Sequence, residues 1–312
     1  MRAYFDLVRV FLTPTALADC WTGYFLAAQI AKQPPRLSEA VLLSIASVAL
    51  YWFGMTTNDL LDMEKDRATQ ARRPLVTAAV SRRSATLLAG VLAVVGLGVP
   101  VLLGIDVAIV AAAVLSLAVL YNAGAKHLPV VGNVLMGSCR AGNLLLGAAA
   151  VLDLNALWSE PELLWAAALL GFYIMCVTAV SVLEDEPPHV ASFVATASMA
   201  LIAPLAGLVS PWDLRPPTLA AIANAAALET LVAVAIVRGA ISSRRHAAAI
   251  GCDSRDKGPH PAERFVRTTL SFLFLIDAGS LLRREHTSGA LMLYGLMILA
   301  WLWKVRWLQS RP

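Results

Sequence analysis

Long apolar runs separated by short polar breaks dominate the chain. They lie at approximately 7–31, 38–61, 84–105, 107–122, 130–152, 162–183, 189–209, 217–238, 266–282 and 288–307. Each approaches the roughly 20 residues that an α-helix needs to cross the hydrocarbon core. The pattern predicts an all-α polytopic membrane protein of nine to ten transmembrane helices. The fourth segment is short, which suits a tilted or partly re-entrant helix, and the last two suit a tight hairpin. The first reads as a span rather than a cleaved signal: Arg9, Pro14 and Asp19 interrupt it, and no small-residue cleavage site stands out. Nothing marks off a soluble unit, so residues 1–312 are expected to form a single membrane domain.

Composition agrees. A mean hydropathy of +0.68, with 58% apolar and 15% charged residues, exceeds ordinary globular usage. The net charge of +4 does not form a nucleic-acid-binding face. Instead the cations are sorted by loop. With ten crossings and a cytoplasmic N-terminus, nineteen of the 25 Lys and Arg fall on the cytoplasmic side, five fall opposite, and Arg140 is left inside a span. That bias follows the positive-inside rule and predicts an integral protein of a bacterial-type inner membrane. Clustered cations in the long 239–263 loop would also favour anionic lipid headgroups. The four cysteines are scattered singly and show neither metal spacing nor a disulfide framework.

The chemistry concentrates where the second segment ends, at Asn58-Asp59-Leu60-Leu61-Asp62-Met63-Glu64-Lys65-Asp66. Carboxylates at the mouth of a span are costly and by default functional. On a helix, Asn58, Asp62 and Asp66 fall at i, i+4 and i+8, and Asp59 joins Asp62 at i+3. Such a face offers hard oxygen ligands of the kind Mg²⁺ uses when one or two carboxylates bridge it to a substrate phosphate. Arg72-Arg73-Pro74 follows, placing phosphate-binding cations beside the acids. Ser181-Val182-Leu183-Glu184-Asp185-Glu186-Pro187-Pro188 ends the sixth segment on the same side. Two acidic sites at corresponding ends of a bundle are what a two-Mg²⁺ diphosphate site requires.

With these motifs the chain resembles the UbiA superfamily of membrane prenyltransferases. The Asn-Asp-x-x-Asp-x-x-x-Asp run, Asn58 to Asp66, followed by Arg73-Pro74-Leu75, looks like the first signature of that family, and the resemblance extends over most of the chain. It implies a bundle of about nine helices around a central lipid-accessible cavity. The implied reaction moves an isoprenoid from a polyprenyl diphosphate onto an acceptor, usually an aromatic one. The implied metal ligands are Asn58, Asp59, Asp62 and Asp66 with Glu184 and Asp185. Asp62, Asp185 and Lys126 are the expected catalytic groups. The second motif departs from the family, which has Asp-x-x-Asp or Asp-x-x-x-Asp there, often followed by Lys. Three consecutive acids point about 100° apart, so only two readily face one metal. The Glu184-Asp185-Glu186 triplet resembles the divergent EboC-like branch.

Two further groups stay open between roles. Tyr121 and Lys126, in Tyr121-Asn122-Ala123-Gly124-Ala125-Lys126, would approach the diphosphate by resemblance; the residues alone fit interfacial anchors equally well. Asn133, Arg140 and Asn143 share one face of the fifth segment. Arg140, in mid-span, must face a cavity, water or a partner carboxylate. It either lines a substrate cavity or forms an ion pair that fixes helix packing, with Asp19 and Asp277 as intramembrane acids available to it. The functional expectation is Mg²⁺-dependent prenyl transfer, with Arg73, Tyr121, Lys126, Asn133, Arg140 and Asn143 contacting substrate. The partners are a polyprenyl diphosphate, a lipophilic acceptor and membrane lipids. The alternative is a lipid or isoprenoid transporter, or a non-catalytic isoprenoid-binding protein, on the same bundle.

Overall fold

The computed structural model describes residues 1–68, 73–185, 189–212, 215–249 and 260–309; at 129, 184–185, 245–249 and 304–309 it describes the backbone alone. Among these, every regular element is helical: α1 (Arg2–Leu7), α2 (Thr13–Ile30), α3 (Leu37–Leu61), α4 (Met63–Ala68), α5 (Arg82–Val101), α6 (Ile105–Asn122), α7 (Pro129–Ala148), α8 (Leu154–Ser159), α9 (Pro161–Ser181), α10 (Val190–Ser198), α11 (Ile202–Gly207), α12 (Leu219–Ala249), α13 (Pro261–Thr269), α14 (Leu273–Arg283) and α15 (Thr287–Gln309).

Among the described residues, seven stretches are helical, long and apolar enough to cross a membrane: α3, α5, α6, α9, α10 with α11, most of α12, and α13 with α14. The sequence pattern suggests nine to ten. The difference has a physical source. α2 and α7 are 18 and 20 residues long, but their polar side chains dilute their hydropathy. These are Thr15, Asp19 and Thr22 on α2, and Asn133, Arg140 and Asn143 on α7. They are also central helices: α7 packs on α2, α6 and α9, while α2 packs on α3, α7, α14 and α15. Helices surrounded by protein need not be apolar all round.

Prolines and one arginine break the other segments. The first segment is not one helix. Arg9 adopts a left-handed conformation (φ 50°), a short 3-10 turn follows, and α2 restarts at Thr13 with Pro14 in its first turn, where the missing N–H costs nothing. Pro204 stands behind the 3-10 turn Met199–Leu201 that separates α10 from α11, because its ring opposes a regular helical turn before it.

Close approach of α2 and α7 depends on glycine. A Cβ on Gly147 would lie 1.8 Å from the Cys20 carbonyl oxygen, and one on Gly23 would lie 1.8 Å from the Leu144 carbonyl oxygen. Small residues at such contacts let membrane helices pack backbone to backbone. Gly147→Val is expected to destabilise the protein by about 3 kcal/mol, the upper part of the overpacking range. Thermal unfolding in detergent would show it as a lowered midpoint, and an unchanged midpoint would contradict the packing described.

At one end, Leu7 of α1, Met63 of α4, Leu75, Val80 and Ala85 of α5 form a small separate apolar cluster. This cap holds the segments that carry Arg9 and Arg73 against the end of α3.

Candidate active site

The last turns of α3 form one wall of a cavity of about 480 Å³. Its lining climbs the helix through Ser47, Tyr51, Gly54, Asn58 and Asp62, a spacing of three or four residues that keeps one face inward. α6 contributes Val114, Ala118 and Tyr121, and α7 contributes Met136, Cys139, Arg140 and Asn143. Two cross-links fix α3 against its neighbours. Asn122 Nδ2 donates to the Gly54 carbonyl (3.0 Å) and to Thr57 Oγ1 (2.8 Å), and Trp52 Nε1 donates to Thr13 Oγ1 (2.8 Å). Trp52 therefore ties two helices together.

The acidic motif divides between two knots of charge. In the first, Lys126 Nζ lies 2.5 Å from Asp62 Oδ1 and donates to Asn58 Oδ1 at 3.2 Å. In the second, Asp59 Oδ1 accepts from Arg9 Nη2 at 3.2 Å and Arg73 Nη1 at 3.5 Å, with Arg73 Nε 3.8 Å from Asp66. Asp59 is only 2% exposed, and neither it nor Asp66 lines the cavity. The helix explains part of this. α3 ends at Leu61, Asp62 is its C-cap, and α4 begins at Met63, so Asn58, Asp62 and Asp66 do not share one continuous helical face. Burial pushes the Asp66 carboxyl above its ordinary value; Arg73 opposes this, and Asp59 and Asp62 add to it.

Among the described lining residues, five cations (Arg9, Lys65, Arg73, Lys126 and Arg140) face one carboxylate, Asp62. Arg140 is already matched: its Nε and Nη2 lie 2.8 and 2.9 Å from the two oxygens of Asp19 on α2, and the Asp277 carboxyl packs beside them. Arg140 is thus both cavity wall and ion-pair partner. Arg9, Lys65, Arg73 and Lys126 sit at the mouth, where Asp59 and Asp66 pair the two arginines and Asp62 pairs Lys126. Below it the lining mixes apolar Leu50, Val114, Ala118 and Met136 with polar Ser47, Tyr51, Arg140 and Asn143.

The other expected residues fall as follows. Tyr121 lines the cavity. Asn143 also lines it, while its Nδ2 donates to the Ala16 carbonyl at 2.7 Å. Asn133, in the first turns of α7, does not line it. The second motif starts at the rim, since Ser181 and Val182 line the cavity and a 3-10 turn Val182–Asp185 follows. The side chains of Glu184 and Asp185, and the whole of Glu186, lie outside the described residues. Sequence reasoning did not single out Arg9, Ser47, Tyr51, Lys65 or His127 as site residues. Arg9 carried a signal, as a lone cation inside an apolar run.

A cation-lined mouth above a cavity partly lined by apolar side chains, within a helical bundle, invites comparison with known proteins. A model of the UbiA prenyltransferase family matches residues 16–228, from α2 into α12. The chain belongs to the UbiA prenyltransferase family. It is 31% identical over 154 residues to the digeranylgeranylglyceryl phosphate synthase of Haloquadratum walsbyi, covering 48% of this chain and 52% of that protein. It is 28% identical over 153 residues to the enzyme of the same name from Sulfurisphaera tokodaii, covering 49% and 54%. The chain thus matches about half the length of these curated relatives. The fold is similar to that of a UbiA homolog from Aeropyrum pernix K1, with a TM-score of 0.60, 20% identity and coverage of 86% of this chain and 96% of that one. It is also similar to a UbiA homolog from Archaeoglobus fulgidus bound to GPP and Mg²⁺, with a TM-score of 0.53, 14% identity and coverage of 89% and 99%.

Proposed function

We propose that this UbiA family member transfers a prenyl group from a polyprenyl diphosphate to a lipophilic acceptor in a Mg²⁺-dependent reaction. The observation that carries the proposal is the cavity itself, with four cations lining the mouth and apolar side chains beneath. A prenyl diphosphate has the complementary polarity: a polyanionic head and a hydrocarbon tail. The metal suits the donor set. Asn58 Oδ1 and Asp62 Oδ1 converge on one cation, the Lys126 ammonium, and a pair of oxygens aimed at one point is what Mg²⁺ takes from a protein when phosphates supply the rest. Bound Mg²⁺ would neutralise the departing diphosphate.

In this reading Asn58 and Asp62 would hold the metal together with Glu184 and Asp185 of the second acidic motif. Arg9, Arg73, Tyr121 and Lys126 contact diphosphate oxygens, the arginines through paired N–H donors. The C–O bond breaks with its electron pair on the diphosphate, and the allylic cation forms against Leu50, Val114 and Ala118, away from water. The acceptor approaches along Tyr51, Arg140 and Asn143. Supporting a lipid reaction, the curated relatives are named for making digeranylgeranylglyceryl phosphate. Residues 1–312 would act as one domain, with α2, α7 and α15 crossing as well to give ten spans around a lipid-accessible cavity and the mouth on the cytoplasmic side.

Purified protein incubated with labelled allylic diphosphates, lipid extract and Mg²⁺ is expected to release diphosphate and yield a prenylated lipid by mass spectrometry, with both lost in EDTA. Metal-independent movement of an intact isoprenoid across vesicles, without diphosphate release, would instead favour a transporter.

A further inference from the structure

Lys126 occupies the point on which Asn58 and Asp62 converge. Its Nζ lies 2.5 Å from Asp62 Oδ1 and 3.2 Å from Asn58 Oδ1, one ligand from each of two successive turns at the end of α3. A Mg²⁺ ion at about 2.1 Å from the same oxygens would overlap the ammonium and be repelled by it. The two cations exclude each other.

The backbone around Lys126 is held while its side chain has room to leave. Lys126 lies in the 3-10 turn Ala125–His127, which Gly124 enters at φ 138°. The first turn of α7 presses on this turn from behind: a Cβ on Gly132 would lie 2.8 Å from the Lys126 Cα. The four-carbon stem ends in the cavity, where Arg9, Lys65 and Arg73 also face the mouth. A diphosphate among these cations offers the ammonium several anionic oxygens in exchange for one carboxylate.

We infer that Lys126 is an internal competitor for the metal: it and the divalent cation are alternative partners of Asn58 and Asp62, and a diphosphate decides between them by drawing Lys126 away. The inference rests on the prenyl diphosphate reading of this cavity. Metal and diphosphate then bind as a coupled pair, and by linkage each strengthens the other. Metal alone binds weakly, because it must displace an ammonium from its carboxylate. When diphosphate departs, Lys126 returns and expels the metal, so turnover clears the site.

The test is Mn²⁺ binding to the purified full chain in nanodiscs without any diphosphate, followed by electron paramagnetic resonance. Lys126→Met and, as a second variant, Lys126→Gln are expected to bind Mn²⁺ at least about tenfold more tightly than the unaltered protein, inside the ~5–150-fold range of such couplings. The gain should vanish in Lys126→Met/Asp62→Asn. Arg73→Met removes one charge from the same mouth and should shift affinity by less than about threefold. Equal affinity in the Lys126 variants and the unaltered protein would overturn the inference. So would a gain that survives Asp62→Asn, or an equal gain from Arg73→Met, which would mean bulk electrostatics rather than exclusion. Because no turnover is read, failure of the prenyl-transfer reading shows separately, as absent diphosphate release from the unaltered protein.

Discussion

Asp62→Asn is expected to lower Mg²⁺-dependent diphosphate release by about 1,000-fold or more. The change preserves shape and leaves an oxygen for Lys126 to bond, so it tests charge rather than packing. Asp62 is the one carboxylate among the described lining residues, and without it a metal at this point keeps only the neutral Asn58 amide oxygen from α3. Losing Lewis-acid stabilisation worth about 4 kcal/mol corresponds to about three orders of magnitude in rate. Asp59→Asn should behave differently. Asp59 is buried behind Arg9 and Arg73 and does not line the cavity, so its loss should appear mainly as weaker diphosphate binding through misplaced arginines. Steady-state kinetics separates the two, with kcat falling for Asp62→Asn and KM rising for Asp59→Asn. A mild kcat effect at Asp62 would move the metal elsewhere.

The second large effect is on stability. Asp19 is fully buried on α2 and holds Arg140 of α7 through two contacts, at 2.8 and 2.9 Å. Removing one partner of a buried pair strands the other charge, at about 3–5 kcal/mol. Asp19→Leu alone and Arg140→Met alone are each expected to lower stability by that amount in denaturant titrations of detergent-solubilised protein. The double variant Asp19→Leu/Arg140→Met should recover more than half of the loss, since neither member of the pair is then left without the other. A double variant as unstable as the sum of the singles would show that the pair is not coupled. The double variant also isolates the role of the cavity wall: if it folds yet transfers prenyl groups poorly, Arg140 serves the substrate as well as the bundle.

Much of this was legible in the chain. Apolar runs marked the helices, and the Asn58 to Asp66 run marked the mouth, because carboxylates survive at a span end only with a purpose. The mid-span position of Arg140 required a partner or a cavity, and it has both. What escaped depended on contacts that no local pattern carries. Asp59 stands one residue from Asn58, about 100° around the helix, and about 60° short of a full turn from Asp62, and the arginines beside it draw it out of the cavity. The break at Asp62 removes Asp66 from the shared face. Arg9 looked like an interruption in an apolar segment, yet its left-handed backbone turns the chain from α1 into α2 while its guanidinium meets Asp59.

That the cavity under α3 is a metal and diphosphate site can be tested by anomalous scattering from Mn²⁺ in crystals grown with a slowly reacting prenyl thiodiphosphate. The expected result is a manganese peak within coordination distance of Asn58 and Asp62, with diphosphate oxygens contacting Lys126 and the prenyl chain against Leu50, Val114 and Ala118. A metal peak away from Asn58 and Asp62, or a diphosphate bound outside this cavity, would contradict it.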